Sequence, residues 1–298
     1  MDTLRSLRCF VRAVELGSLS AVAREQSTTQ SNISKIVAAL ENELGVRLLE
    51  RSTSSLSPTM PGRRFYERAR GVLEEYADAV ADARGETAAA SGLLRINAPV
   101  ALGQFCLNAF VQDFLKRYPA IEVELILNDR MVDLVEEGVD IAVRLGPELP
   151  PSVIARRAGA SPRLLVASPG YLKTHGVPQA PGDLASHEYI RFAWASMGDG
   201  LELSDGEKWV TVATHGRYRV NNALAIRDAL AAGGGIGLCP EWLVRDLLVQ
   251  RKLRRVLPHW QGQEQELNLL YPSRRYLPHR VRLMLDYLQQ RFAGQAGF

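Results

Sequence analysis

Cysteine is scarce in this sequence. Its 298 residues hold three, Cys9, Cys106 and Cys239, far apart and odd in number. A disulfide framework needs paired cysteines, so none is expected, and a reducing, cytoplasmic setting fits. Burial among apolar neighbours is the expected fate of the three thiols, with redox sensing the minor alternative. Long apolar runs are missing as well. None approaches the ~18 residues that a membrane-spanning helix requires. Met1-Asp2-Thr3-Leu4-Arg5 has no basic stretch leading into an apolar one, so no secretory leader is read there.

Catalytic and metal-binding signatures are also lacking. The five histidines, His175, His187, His215, His259 and His279, lie at least twelve positions apart, and none sits near a His or Cys at zinc spacing. There is no G-x-S-x-G, S-x-x-K or H-E-x-x-H. Gly233-Gly234-Gly235-Ile236-Gly237 follows a helical pattern and enters a strand pattern. A phosphate-binding turn runs the other way, from strand to helix, so these glycines read as a tight connection using positive φ. No metal, cofactor or enzymatic activity is expected.

What is present is an ordinary globular balance, 46% hydrophobic and 23% charged, at a length that suits about two domains. The net charge of +3 is unevenly spread. Up to Arg70 there are eleven basic and seven acidic residues, so the remainder is close to neutral. A locally basic small domain suits a polyanion, and a solvated helical surface fits the same count.

The N-terminal quarter reads as helical. Leu4, Leu7, Phe10, Val11 and Val14 repeat at three-to-four spacing, and Gly17 ends that helix. Ser18 or Ser20 can cap a second helix through Arg24. Ser27-Thr28-Thr29 is a turn. Thr28 or Thr29 can cap a third helix, which faces the core with Ile33, Val37, Leu40 and Leu44 and stops at Gly45. Short helices on short turns fit a helix-turn-helix. Residues 47–59 read as a small hairpin with a polar tip. From Pro61, expected at the first helical position, a long helix carries Phe65, Ala69, Val72, Tyr76, Ala79 and Ala83 at alternating spacings of four and three. That is the seam of a two-stranded coiled coil, or the face of a helix packed on its own domain. Gly85 to Gly92 suits a flexible link.

From Leu93 the pattern turns β/α. It predicts a strand from Leu93, a helix over about 102–118, strand 121–127, helix 131–137 and strand 141–144. A second unit follows with strand 164–167, helix 222–232, strand 236–239, strand 267–271 and a last helix over 280–291. Alternation of this kind argues for a sheet with parallel strands and helices on both faces.

One stretch carries more than composition. It begins at Phe10, runs through Gly17-Ser18-Leu19-Ser20-Ala21-Val22-Ala23 and Gln30-Ser31-Asn32-Ile33-Ser34-Lys35, continues as Leu40-Glu41-x-Glu43-Leu44-Gly45-Val46-x-Leu48-Leu49-Glu50-Arg51, and closes on Thr59-x-x-Gly62. This resembles the LysR-type transcriptional regulators. The remainder resembles that family's effector domain at Asp140-Ile141-Ala142-Val143-Arg144-x-Gly146, Ala167-Ser168-Pro169-Gly170-Tyr171-Leu172 and Gly235-Ile236-Gly237-Leu238-Cys239-Pro240. Ser54 stands where the family usually has Arg, Pro58 where it has Leu, and Gln26 and Thr28 where it has apolar residues. The last two would weaken the turn's packing or make new polar contacts.

The resemblance implies an α+β multidomain chain. Residues 1–60 would be a winged helix-turn-helix, 61–90 a linker and dimerisation helix, and 91–298 an effector domain of two α/β lobes like a periplasmic binding protein. Its first lobe would span about 91–163 and 270–298, and its second about 164–269, with crossing strands near 163–167 and 267–271. It implies a sequence-specific DNA-binding regulator, self-associated as a dimer and usually a tetramer, reading an interrupted palindrome of double-stranded DNA. Thr29, Gln30, Ser31, Asn32, Ser34 and Lys35 would face base edges, with Arg51, Ser52 and Thr53 on the backbone or minor groove. A small-molecule effector would lie between the lobes. Its walls would be Val100, Ala101, Leu102, Asn128 and Arg144 on one side and Phe192, Trp194 and Asn221 on the other. Asp129 and Arg144 can also simply pair. Relatives that bind carboxylates often place Ser or Thr where this chain has apolar side chains at 100–102, leaving backbone N–H groups to hold an anion. The expected ligand is small and partly hydrophobic, with at most one anionic group. A two-lobed enzyme and a small-molecule carrier are the rival readings. The missing catalytic groups weigh against the first, and the basic helix-turn-helix against the second.

Overall fold

The computed structural model describes residues 2–51, 56–83, 90–147, 149–151, 153–193, 200–273 and 277–298. Met1–Ala89 form the bulk of one compact unit, and Ala90–Arg274 with Arg280–Phe298 form a second.

In the first unit, α1 (Thr3–Leu16) starts at Asp2, whose carboxylate accepts from the Arg5 N–H, and stops at Gly17. α2 (Leu19–Glu25) is capped by Ser18, and α3 (Gln30–Leu44) by Thr29. Gly17 and Gly45 close α1 and α3 with φ of 59° and 67°, a conformation that favours glycine. Leu7, Phe10, Val11, Val22, Ile33, Val37 and Leu40 form the shared core. Leu44, expected to join them, is exposed, because Leu48 and Leu49 close the core at that end. β1 (Leu49–Arg51) and β2 (Leu56–Pro58) pair antiparallel as the wing. α4 (Met60–Ala83) follows; it begins one residue before Pro61 because Thr59 is the capping residue.

The second unit opens with β3 (Gly92–Ala98), then α5 (Val100–Leu102), a π turn (Gly103–Leu107) and α6 (Asn108–Arg117), which form one run. Next come β4 (Ile121–Leu127), β5 (Ile141–Leu145) and β6 (Val153–Ala167). α7 (Pro169–His175), a 3-10 turn (Pro181–Ser186) and β7 (Arg191–Phe192) lead to the hairpin of β8 (Gly200–Ser204) and β9 (Trp209–Ala213). β10 (Arg219–Val220), α8 (Ala223–Ala231), β11 (Ile236–Pro240), α9 (Glu241–Val249), β12 (Arg254–Arg255), β13 (Gln261–Pro272) and α10 (His279–Ala293) complete it.

β3 lies parallel between β4 and β5, and β5 pairs antiparallel with the second half of β13. This is the sheet of the first lobe. β6 and β13 run antiparallel from the Val153–Pro272 pair to the Leu164–Gln261 pair. They contain both expected crossing segments and are much longer than these. In the second lobe, β11 and β12 pair with β6, and the β8–β9 hairpin joins at Gln261–Ser204. Gly233 and Gly235 join α8 to β11 with φ of 88° and 149°, the helix-to-strand connection read from the sequence.

Residues 131–137 form no helix. Asp133 accepts from the Val135 and Glu136 N–H groups, a single turn closes, and Gly138 ends it at φ 63°. Val132 and Leu134 are buried while Met131 and Val135 are exposed, a two-residue alternation that a helix cannot present to one core.

Candidate nucleic-acid interface and ligand cleft

The leading edge of α3 divides its residues between two tasks. The Thr29 hydroxyl accepts from the Asn32 N–H at 3.3 Å and pairs with the Ser31 hydroxyl at 3.1 Å. Asn32 turns back, its amide donating to the Thr28 hydroxyl at 3.0 Å. Thr29 and Asn32 therefore help to build the helix start. Gln30, Ser31 and Lys35 are exposed, and Ser34 is half-buried. The two polar residues in the turn make new contacts: Thr28 takes Asn32, and Gln26 accepts from the Cys9 thiol at 3.4 Å. Arg12 grips Glu25 and Glu15, which ties α1 to α2 and holds the Glu25 carboxyl below the usual carboxylate range.

The wing is pinned to α3 by one side chain. Glu41 accepts from the backbone N–H groups of Leu48 and Leu49 at 2.8 and 2.9 Å. At the other side, the Thr59 hydroxyl donates to the Arg47 carbonyl at 2.8 Å and accepts from the Gly62 N–H at 2.9 Å. A Cβ at position 62 would stand 1.9 Å from the Leu48 carbonyl oxygen. The Thr59-x-x-Gly62 pattern is thus a packing device that seats α4 against the wing. Ser52, Thr53 and Ser54 lie outside the described residues, as does the side chain of Arg51.

The seam on α4 is split. Phe65 packs on Phe10 with ring centroids 5.5 Å apart, and Ala69 is buried in the same core. Those two positions belong to the chain's own domain, which corrects the expectation of one continuous seam. Val72 and Tyr76 remain about half exposed, at 47% and 48%, and Ala79 is exposed. The side chain of Ala83 lies outside the described residues.

In the second unit the expected cleft residues differ in burial. Ala101 and Leu102 are buried, so of the three first-lobe apolar residues only Val100 is half-exposed. The Val100 N–H, expected to be free for an anion, donates to the Asp129 carboxylate at 3.1 Å. Arg144 is buried; it donates to Asn97 Oδ1 at 2.5 Å and to the carbonyls of Val143 and Arg130 at 2.8 and 3.2 Å. Asp129 and Arg144 thus have different hydrogen-bond partners. Burial lowers the Arg144 pKa, and the nearby charges of Asp129 and Glu137 oppose that. Asn97 was missed in the sequence. It is fully buried with its Nδ2 unpaired, and the buried Oδ1 of Asn128 is unpaired too. Phe192 is 37% exposed and Asn221 is exposed. Trp194 lies outside the described residues. Asn222 caps α8 by accepting from the Ala225 N–H.

Two hollows stand elsewhere. One of about 310 Å³ is lined by Arg157, Ser204, Trp209, Gln261, Gly262, Gln263, Glu264 and Glu266. Another of about 440 Å³ lies beside α7, with Ser168, Tyr171, Thr174, Gly233 and Lys252 in its lining. Neither includes an expected effector residue. The three cysteines are buried; burial raises their thiol pKa values, Cys106 to about 11 and Cys239 to about 12. No helix among the described residues is long and apolar enough to cross a membrane.

Residues 4–63 match the family model described as bacterial regulatory helix-turn-helix protein, lysR family, and residues 87–293 match the LysR substrate binding domain. The chain is 32% identical over 293 residues to the probable HTH-type transcriptional regulator LtrA of Klebsiella pneumoniae, covering 97% of this chain and 95% of that one. The full-length structure of the Vibrio cholerae virulence activator AphB is similar, with TM-score 0.60 and 30% identity over 96% of this chain and 98% of that one. So is CrgA from Neisseria meningitidis, with TM-score 0.63 and 28% identity over 98% and 99%.

Proposed function

The chain belongs to the LysR family of transcriptional regulators, and on that premise we propose that it reads DNA with Gln30, Ser31, Ser34 and Lys35 at the leading edge of α3. The observation that carries this is the division of labour on that edge. Thr29 and Asn32 are held by capping bonds, whereas the side chains of Gln30 and Lys35 are exposed and hydrogen-bond no other described residue. Gln suits adenine bidentately, and Lys suits guanine or a phosphate. Arg51, Ser52 and Thr53 at the wing add backbone contacts. The exposed part of the seam, Val72, Tyr76 and Ala79, joins two copies, and a two-fold dimer selects two-fold DNA. The setting is the cytoplasm, and the chain acts as a regulator without catalysis.

The effector sits between the two lobes, against Val100, Asn128, Phe192 and Asn221. Asp129 already occupies the backbone donor at the start of α5. An anionic group there would displace or oppose a carboxylate, so the ligand presents a neutral, partly apolar end to Val100. Selection of duplexes from a random pool by the full-length protein tests the DNA reading. A two-fold symmetric consensus is expected, and enrichment without any consensus counts against it. A thermal-shift panel of small molecules tests the effector class, since a ligand stabilises by RT ln(1 + [L]/Kd). If hits consist only of di- and tricarboxylates, the effector assignment is wrong.

A further inference from the structure

α9 belongs to the second lobe, yet two aromatic groups of the first lobe close on it and its ion pair. Arg227 of α8 forks onto the Asp246 carboxylate of α9 and donates to the Leu243 carbonyl. Its side chain is only 11% exposed. Phe105 of the first lobe lies over that guanidinium, with its ring centroid 4.7 Å from the central carbon. The ion pair holds the guanidinium plane still, and the ring shields it, which is the setting in which a cation–π contact is strongest. Phe105 stands in the π turn, which rotates it off the apolar face that carries Cys106, Leu107 and Phe110.

The second contact lies one turn away on α9, at Trp242. Trp242 stacks on Phe298 at 5.9 Å with an interplanar angle of 8°. Phe298 meets Phe292 of α10 at 5.4 Å, and Phe292 meets Phe110 of α6 at 5.3 Å. Gly297 lies so close that a Cβ there would be 2.9 Å from the Trp242 nitrogen. Phe298 also lies over Gly159, in the middle of the crossing strand β6. The lobes are also joined through β6 and β13, which run antiparallel from one to the other.

We propose that the Phe105–Arg227 and Phe298–Trp242 contacts form a two-point strap that holds α9 against the first lobe and sets the opening of the cleft. Any closure or opening of the lobes has to break or slide these contacts. The strap stands independently of which ligand the cleft takes; only its link to signalling rests on the effector reading above.

The test uses the full-length chain without ligand. Spin labels go on Lys116→Cys and Lys173→Cys, exposed sites in the first and second lobes. The native thiols are buried and stay unlabelled. Dilution with unlabelled protein removes distances between copies. The labelled parent is expected to give one narrow interlobe distance. Phe105→Leu with Phe298→Ala should add a second population, with the closed-to-open ratio falling about tenfold. A distribution that superimposes on the parent's, or a parent already broad, overturns the strap. Should the double variant fail to fold, Arg227→Gln alone removes the guanidinium from Phe105 and must shift the distribution in the same direction; no shift there overturns the strap equally.

Discussion

Replacing Gly62 by alanine puts a methyl group where the chain has no room. The added Cβ would stand 1.9 Å from the Leu48 carbonyl oxygen and 2.8 Å from its carbon. Both neighbours are backbone, so no flexible side chain can swing away. Reaching an ordinary contact of 3.4 Å means moving α4 from β1 by about 1.5 Å. That shift stretches the Thr59 N–H bond to the Leu48 carbonyl, now 2.9 Å, and disturbs the Thr59 cap. Overpacking costs roughly 1–3 kcal/mol, and a lost backbone hydrogen bond about 1 kcal/mol more. A total of about 2–4 kcal/mol lowers the melting temperature of a unit this size by roughly 10–30 °C. Calorimetry of the full-length chain reads this in the transition of the first unit. Gly45→Ala is the control: nothing lies within 4 Å of its Cβ, and only its φ of 67° opposes a side chain, at about 1 kcal/mol. If Gly62→Ala melts within about 2 °C of the parent, or no lower than Gly45→Ala, the wing is not packed on α4 as described.

Val72→Asp places a charge in the exposed part of the seam, so sedimentation should show smaller assemblies; an unchanged dimer assigns self-association elsewhere. Cys9, Cys106 and Cys239 should resist a thiol reagent at pH 8 in the native chain and react on unfolding, because their raised pKa values keep them protonated; fast native labelling would contradict their burial. Asp246 has a folded pKa held down by Arg227. Its stabilisation is therefore present above the unfolded value near pH ~4 and lost as pH falls through the lowered folded value. Asp246→Asn should flatten that acid limb of the stability curve, and an unaltered limb would show the ion pair to be inert.

Helix faces were legible where one apolar stripe met one core. Spacing, capping hydroxyls and terminal glycines place α1, α2 and α3; of the alternative caps Ser18 and Thr29 are the ones used, Gly17 and Gly45 close α1 and α3, and only Leu44 leaves its expected face. The seam on α4 shows the limit of spacing. Phe65 and Ala69 share their periodicity with Val72 and Tyr76, and periodicity does not say whose core a residue enters. α9 was missed because Pro240 gives it no side-chain cap and it runs straight on from β11. The β8–β9 hairpin left a usable signal, Asp205-Gly206 between the alternating Leu201, Leu203, Val210 and Val212. The cleft was the least legible part. Nothing in the sequence says that Asp129 turns to the Val100 N–H, that Arg144 spends its donors on Asn97 and two carbonyls, or that Ala101 and Leu102 are buried. Such pairings depend on side-chain directions at the ends of three separate strands.

The central claim is that the exposed edge of α3 reads base edges. Anisotropy titrations at one fixed salt concentration, with Gln30→Ala against the selected duplex and a random duplex, test it most directly. A bidentate base contact is worth roughly 1–3 kcal/mol, so affinity for the selected duplex should fall about 5- to 150-fold while the random duplex binds as before. An equal loss on both duplexes, or no loss on either, would contradict it.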